Sequence, residues 1–202
     1  MSEPEVLFFD LGGVTLTNGW DMGSRKRATA TFGLDDGFEA RHKLLAHDLD
    51  CGRITLDDYL DRVVFDRPRP FDRDAFIAFM RSQSQPFTGV LEILGELAAG
   101  GRYLMAALNN ESTELNHYRI DRFLLHRYFD VFFSSCYLGL AKPDPAIYQR
   151  ALDVVQRPAD ACVFVDDRPE NVAPARALGL RTIVHPGADG LRAALRQVGV
   201  TI

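Results

Sequence analysis

Hydrophobic positions along this 202-residue chain follow two rhythms. Short unbroken apolar runs mark buried strands: Val6-Leu7-Phe8-Phe9, Tyr103 to Leu108, Val131-Phe132-Phe133, residues 161–165 and Arg181 to Val184. Between the later runs, apolar residues recur at helical spacing. They predict helices over Val90 to Leu97, Ser112 to Arg127, Pro143 to Val155, Pro169 to Leu178 and Leu191 to Val198. Gly100-Gly101 and Gly179 stop two of these helices, and prolines at 143 and 169 sit in the first turn of two others. Strand and helix alternate from residue 86 onward, which predicts an α/β fold, a doubly wound parallel sheet with helices on both faces. Residues 19–85 break that alternation. They carry helical periodicity only, over Arg25 to Phe32, Gly37 to Leu49, Leu56 to Val64 and Arg73 to Arg81, with a proline-rich turn at 66–70. The expectation is a helical subdomain over 19–85, inserted into a core made of 1–18 and 86–202.

Composition narrows the partners. A net charge of −5 and a basic cluster no longer than Arg25-Lys26-Arg27 give no footprint for nucleic acid. Three cysteines without C-x-x-C spacing exclude a zinc or disulfide framework. No apolar stretch reaches the 18 residues of a membrane span, and the first strand begins too early for a signal peptide, so a cytoplasmic protein without membrane partners is expected.

The first strand ends in Asp10, with Leu11-Gly12-Gly13 behind it, and residues 161–165 run into Asp166-Asp167. Open α/β sheets bind ligands at the carboxyl ends of their strands. Adjacent carboxylates there repel each other unless a cation or hydrogen-bond donors offset them. Asp166-Asp167 therefore reads either as half of a Mg²⁺ site shared with Asp10 or as a cap for the following helix. Lys142 is presented by the stiff segment Lys142-Pro143-Asp144-Pro145, and its point charge suits a phosphate oxygen beside Asp10. Asn109-Asn110 ends another strand, as anion donors or as an Asx turn. Trp20 reads as a platform for a sugar ring or as hinge packing, and His47 as a further residue lining a substrate site.

In combination these segments resemble the haloacid dehalogenase-like hydrolase superfamily. The matching runs are Asp-x-Gly-Gly-Val from Asp10, Asn109-Asn110, Lys142-Pro143-Asp144-Pro145-x-Ile147-Tyr148, and Val165-Asp166-Asp167-x-x-x-Asn171. The resemblance implies a Rossmann-like core with a helical-bundle cap that closes over Asp10 and selects the substrate. The Asp10–Gly13 run and the segment from His47 through Gly52-Arg53-Ile54-Thr55 look closest to bacterial alpha-glucose-1-phosphate phosphatases. The implied activity is a Mg²⁺-dependent phosphatase of a small phosphorylated metabolite, a sugar phosphate, in a monomer or homodimer. Asp10 would be the nucleophile that forms an aspartyl-phosphate, and Lys142 would hold it against the phosphate. Asp10, the Gly12 carbonyl, Asp166 and Asp167 would hold the metal. The backbone N–H groups of Leu11 and Gly12, with Asn109 and Asn110, would cradle the phosphate. Two positions depart from the family pattern. Gly12 stands where most phosphatases carry a leaving-group acid, a group worth about 10²–10⁴ in rate; that predicts preference for activated phosphates such as glucose 1-phosphate. Asn109 replaces the usual Ser or Thr and is expected to face the site. The alternatives are a catalytically weak or inactive member that binds phosphate or a protein partner, and a metal-independent 2-haloacid dehalogenase.

Overall fold

A computed structural model describes residues 3–202. In chain order the elements are β1 (Val6–Phe9), then α1 (Met22–Phe32), α2 (Phe38–Asp50), α3 (Leu56–Val63) and α4 (Arg73–Ser82). Next come α5 (Thr88–Gly100), β2 (Leu104–Asn109), α6 (Thr113–Arg122), β3 (Val131–Ser134) and α7 (Ser135–Leu138). The chain finishes with α8 (Pro145–Val155), β4 (Cys162–Asp166), α9 (Pro169–Ala177), β5 (Arg181–Val184) and α10 (Ala188–Gln197).

All five strands pair in parallel, in the order β3-β2-β1-β4-β5. Every residue of β1 is buried because helices cover both faces, and alternate side chains feed two cores. Leu7 and Phe9 pack with Val90 and Leu94 of α5 and Leu191 and Leu195 of α10. Val6 and Phe8 pack with Ile147 and Tyr148 of α8 and Ala175 of α9. The chain winds outward from β1 to β3, then returns to β4 on the other side of β1. That reversal opens a crevice at the carboxyl ends of β1 and β4, where Asp10 and Asp166-Asp167 sit.

Helices α1–α4 bury a third core around Phe38, Tyr59, Leu60, Phe76 and Met80. Their starts follow from local chemistry. Asp21 caps α1 through Ser24 N at 2.7 Å, Thr55 and Asp58 form a reciprocal capping box on α3, and Asp72 caps α4. The two connectors to the core run side by side. Thr17 N donates to the Gln85 carbonyl at 2.8 Å, and Phe87 N to the Thr15 carbonyl at 3.1 Å.

Helix ends shift by up to a turn from the sequence reading in α1, α5 and α10, and three further differences have a local cause or signal. The helix expected over Ser112 to Arg127 stops at Arg122, because Leu124 takes a left-handed conformation (φ 51°) before a short 3-10 turn over Leu125–Arg127. The helix expected from Pro143 starts at Pro145, capped by Asp144 through Ala146 N at 2.9 Å. The one-turn α7 after β3 carries no periodic signal long enough to read.

Candidate active site

Asp10 leaves β1 with its backbone N–H still bound to the Val165 carbonyl at 2.9 Å, so the sheet fixes its position. Its Oδ1 accepts from Leu11 N at 2.7 Å and from Lys142 Nζ at 2.9 Å. The same ammonium lies 2.7 Å from Asp166 Oδ2. All three groups are buried. Burial pushes the Asp10 carboxyl up to about 7; Lys142 pulls it down, while Asp166 and Asp167 push it further up. Burial opposes the charge on Lys142, but Asp10 and Asp166 outweigh it and hold the ammonium above its usual range.

Adjacent Asp166 and Asp167 have different surroundings. Asp166 is saturated: besides Lys142 it accepts from Arg168 N at 2.8 Å and from Asn171 Nδ2 at 3.0 and 3.2 Å. It therefore fixes the turn that leads into α9, through Arg168 N, and positions Lys142 at once; no described side chain caps the first turn of α9 itself. Asp167 Oδ1 is buried with no hydrogen-bond partner, and burial and Asp166 both raise its carboxyl. One oxygen from each of Asp10, Asp166 and Asp167 lies within 4.8 Å of the others. Hard oxygen donors with one orphaned oxygen fit a divalent cation of the Mg²⁺ type. Gly13 leaves that space open: at φ 78° it accepts a conformation side chains avoid, and a Cβ there would lie 2.2 Å from Asp167 Oδ2.

These groups form part of the wall of a cavity of about 520 Å³ that extends under the helical subdomain. Five acids (Asp10, Asp21, Asp50, Glu111 and Asp167) and four bases (Arg25, Arg119, Lys142 and Arg168) line it. Gly12, Trp20 and Asn110 also line it.

Two candidates are placed elsewhere. Asn109 does not face the cavity. Its Nδ2 donates to Asn116 Oδ1 at 3.0 Å, its Oδ1 accepts from Ser134 Oγ at 2.8 Å, and Asn116 Nδ2 donates to Ser134 Oγ at 3.0 Å. The side chain is consumed by this closed, buried triangle. His47 is exposed, beside Cys51. The cavity stripe of α2 is His42, Ala46, Leu49 and Asp50, spaced i, i+4, i+7, i+8; His47 lies about 140° around the helix from His42. Asn110 serves as a clamp, donating to the Lys142 carbonyl at 2.8 Å and accepting from Lys142 N at 2.9 Å.

His42 was not singled out in the sequence; the helical spacing that admits it also admits several other faces. Its ionic state follows from its neighbours. The Trp20 indole can only donate, so Tyr59 Oη accepts from it at 2.9 Å and donates its own proton to His42 Nδ1 at 2.8 Å. His42 is then neutral with its proton on Nε2, in accord with burial, which pulls its pKa down to about 4. Trp20 meanwhile packs edge-on against Phe38 and Phe76. Arg119 braces the connectors, reaching Ser84 Oγ at 2.9 Å, the Thr17 carbonyl at 2.9 Å and Glu111 at 3.0 Å.

Carboxylates gathered at the switch point of a doubly wound sheet, under a helical lid, stand where α/β proteins of this class bind their ligands. Residues 5–179 match the haloacid dehalogenase-like hydrolases; the chain belongs to that family and is a hydrolase. A chloroplast flavin mononucleotide hydrolase of Arabidopsis thaliana is 32% identical over 168 residues, 81% of this chain. Bifunctional epoxide hydrolase 2 of Mus musculus is 40% identical over 76 residues, 37% of this chain. The chain spans 66% of the plant protein's length and 14% of the mouse protein's. A haloacid dehalogenase family enzyme from Bacteroides thetaiotaomicron, solved with magnesium, superposes with a TM-score of 0.80 at 21% identity, over 93% of this chain and 95% of that one. The same enzyme with magnesium and inorganic phosphate gives 0.76 at 20% identity, over 91% and 95%. Among the described residues no helix is long and apolar enough to cross a membrane.

Proposed function

We propose that this hydrolase is a Mg²⁺-dependent phosphatase of small phosphorylated metabolites, sugar phosphates in particular, acting through an aspartyl-phosphate on Asp10. One observation carries the reading: Lys142 Nζ bridges Asp10 and Asp166 at 2.9 and 2.7 Å, beside the unpartnered Asp167 oxygen. The lysine offsets repulsion between Asp10 and an incoming phosphate, and Asn110 keeps its loop in place. Asp10, the Gly12 carbonyl and Asp167 would hold Mg²⁺, with Asp166 behind them. The ion would neutralise charge on the transferring group and align it with Asp10. Neutral His42 presents an N–H for a substrate oxygen, and Trp20 a ring edge. The relative named for flavin mononucleotide hydrolysis, and the magnesium and phosphate bound by the Bacteroides enzyme, support the same chemistry.

A panel of phosphorylated metabolites with Mg²⁺ tests this, run with and without chelator and beside Asp10→Asn. Turnover should need Mg²⁺ and fall on the order of 10⁴-fold in the variant, which lacks its nucleophile. Glucose 1-phosphate should outpace glucose 6-phosphate, because Gly12 offers the leaving oxygen no proton. Metal-independent turnover, or an Asp10→Asn enzyme as fast as the wild type, refutes the reading.

A further inference from the structure

With glycine at position 12, the core supplies no acid for a departing oxygen, so a proton must come from another wall of the cavity. The inventory is short. Lys142 is locked between Asp10 and Asp166, and Glu111 is tied to Arg119 at 3.0 Å and to Ser112 N at 3.0 Å. Arginines keep their protons. Asp21 is spent on capping α1 through Ser24 N and Oγ. Asp167 belongs to the carboxylate cluster beside Asp10. The N–H of a neutral imidazole such as His42 is too weak an acid to protonate a leaving oxygen. Asp50, the last residue of α2, is different. It is partly buried and lines the same cavity as Asp10 and Gly12, and no described residue hydrogen-bonds or ion-pairs with its carboxyl group. Its backbone is anchored: Ser135 Oγ donates to the Asp50 carbonyl at 2.5 Å. The turn behind it is fixed by Gly52 at φ 66°, where a Cβ would come within 2.4 Å of the Cys136 carbonyl oxygen. Burial pushes the Asp50 carboxyl up to about 7, with Glu111 raising it and Arg25 lowering it, so the protonated form is populated near neutrality.

We propose that Asp50 protonates the leaving oxygen, filling from the cap the role that Gly12 vacates in the core. The inference rests on the phosphatase reading above. In the first half-reaction an Asp10 oxygen bonds to phosphorus as the phosphorus–oxygen bond to the leaving group breaks. That electron pair goes to the leaving oxygen, which takes the proton of Asp50 and departs as a neutral alcohol. In the second half, the Asp50 carboxylate takes a proton from the water that attacks phosphorus. The bond from phosphorus to Asp10 breaks with its electron pair returning to Asp10, and both acids are restored.

Leaving-group dependence is the test, because a structural role would not vary with the substrate. Wild type and Asp50→Asn are compared, with Mg²⁺, on p-nitrophenyl phosphate, glucose 1-phosphate, and glucose 6-phosphate or the fastest primary alkyl phosphate of the panel. For the variant, kcat/KM, which reports the first half-reaction alone, should fall about 10²-fold on the primary alkyl phosphate, less on glucose 1-phosphate, and within about threefold on p-nitrophenyl phosphate, whose leaving group needs no proton. Asp50→Glu should recover part of the loss. Activity on p-nitrophenyl phosphate also shows that the variant folds. An equal loss of kcat/KM on all three substrates, or no loss on the primary alkyl phosphate, overturns the assignment to Asp50. A wild type inert on all three counts against the phosphatase reading itself.

Discussion

At the carboxyl ends of β1 and β4, Asp10, Asp166 and Asp167 crowd around one buried ammonium, and the backbone holds each in place. In the helical subdomain that covers them, the polar side chains reaching the cavity are held differently. Trp20, Tyr59 and His42 form a neutral relay, while the Asp50 carboxyl makes no hydrogen bond or ion pair with any described residue. The sheet end is a set of opposed charges that lose stability together if one is removed. The cap end pairs its cavity arginine, Arg25, with Glu39 and leaves the His42 N–H and the Asp50 carboxyl facing the cavity. Chemistry common to many substrates belongs on the first surface, and discrimination among them on the second.

The sharpest way to break this contrast is to remove the ammonium. Lys142→Met strands Asp10 and Asp166 as buried carboxylates without a counter-charge. Breaking a buried pair from one side costs about 3–5 kcal/mol. Urea unfolding in Mg²⁺-free buffer should register a loss of that size, partly restored by Mg²⁺. An unchanged midpoint would mean that the carboxylates are solvated and the sheet end is no more locked than the cap.

Acid should separate the two regions next, through His42. Its folded pKa of about 4 lies below the ordinary 6.5 because burial disfavours the imidazolium. Between these values the unfolded chain binds more protons than the folded one. The His42 contribution is therefore full above pH 6.5, falls as pH drops toward 4, and levels off below, while the Asp10 and Asp50 carboxyls, raised to about 7, act with the opposite sign over the same window. Across that window the His42 contribution changes by about 3 kcal/mol. Trp20, the chain's one tryptophan and a partner in the relay, reports on the cap by fluorescence during urea titrations. The stability difference between wild type and His42→Gln should shrink by about 3 kcal/mol from pH 6.5 to pH 4; a difference that stays constant with pH would show that the folded imidazole takes its proton at the same pH as the unfolded one.

The same division explains what the sequence could say. Asp10, Lys142, Asp166 and Asp167 were legible because each follows a strand or a proline-stiffened turn, where backbone position alone decides where a side chain arrives. The doubly wound sheet was legible for a related reason: buried parallel strands must be continuously apolar, as residues 6–9 and 162–165 are. The cap was legible as helices but not as a surface. Which stripe of α2 meets the cavity depends on how the helix docks, and the amphipathic signal of this helix is shared among polar residues on several faces. The sequence points to His47 for that stripe, whereas the docked helix turns His42 and Asp50 inward. Asn109 was misjudged for another reason. Its partners, Asn116 and Ser134, are 7 and 25 residues away, and nothing in the local pattern announces a three-way network.

Those two corrections yield the smallest expected effects. Asn109→Ala removes one corner of the buried triangle and leaves Asn116 Oδ1 and the Ser134 hydroxyl short of partners; a buried group left unsatisfied costs about 1–3 kcal/mol. The loss should appear in the urea midpoint, with KM for the best phosphorylated substrate unchanged. His47→Ala removes only an exposed side chain and should leave both stability and KM alone, within about 0.5 kcal/mol. The pair discriminates because the two accounts of the site predict opposite patterns. If Asn109 cradled phosphate, its loss would raise KM more than it lowered stability. If His47 met the substrate, KM would rise with no stability change. Since His42 and His47 lie about 140° apart on one helix, a KM effect at both would require α2 to rotate between states, and the cap would then be a moving specificity surface rather than a fixed one.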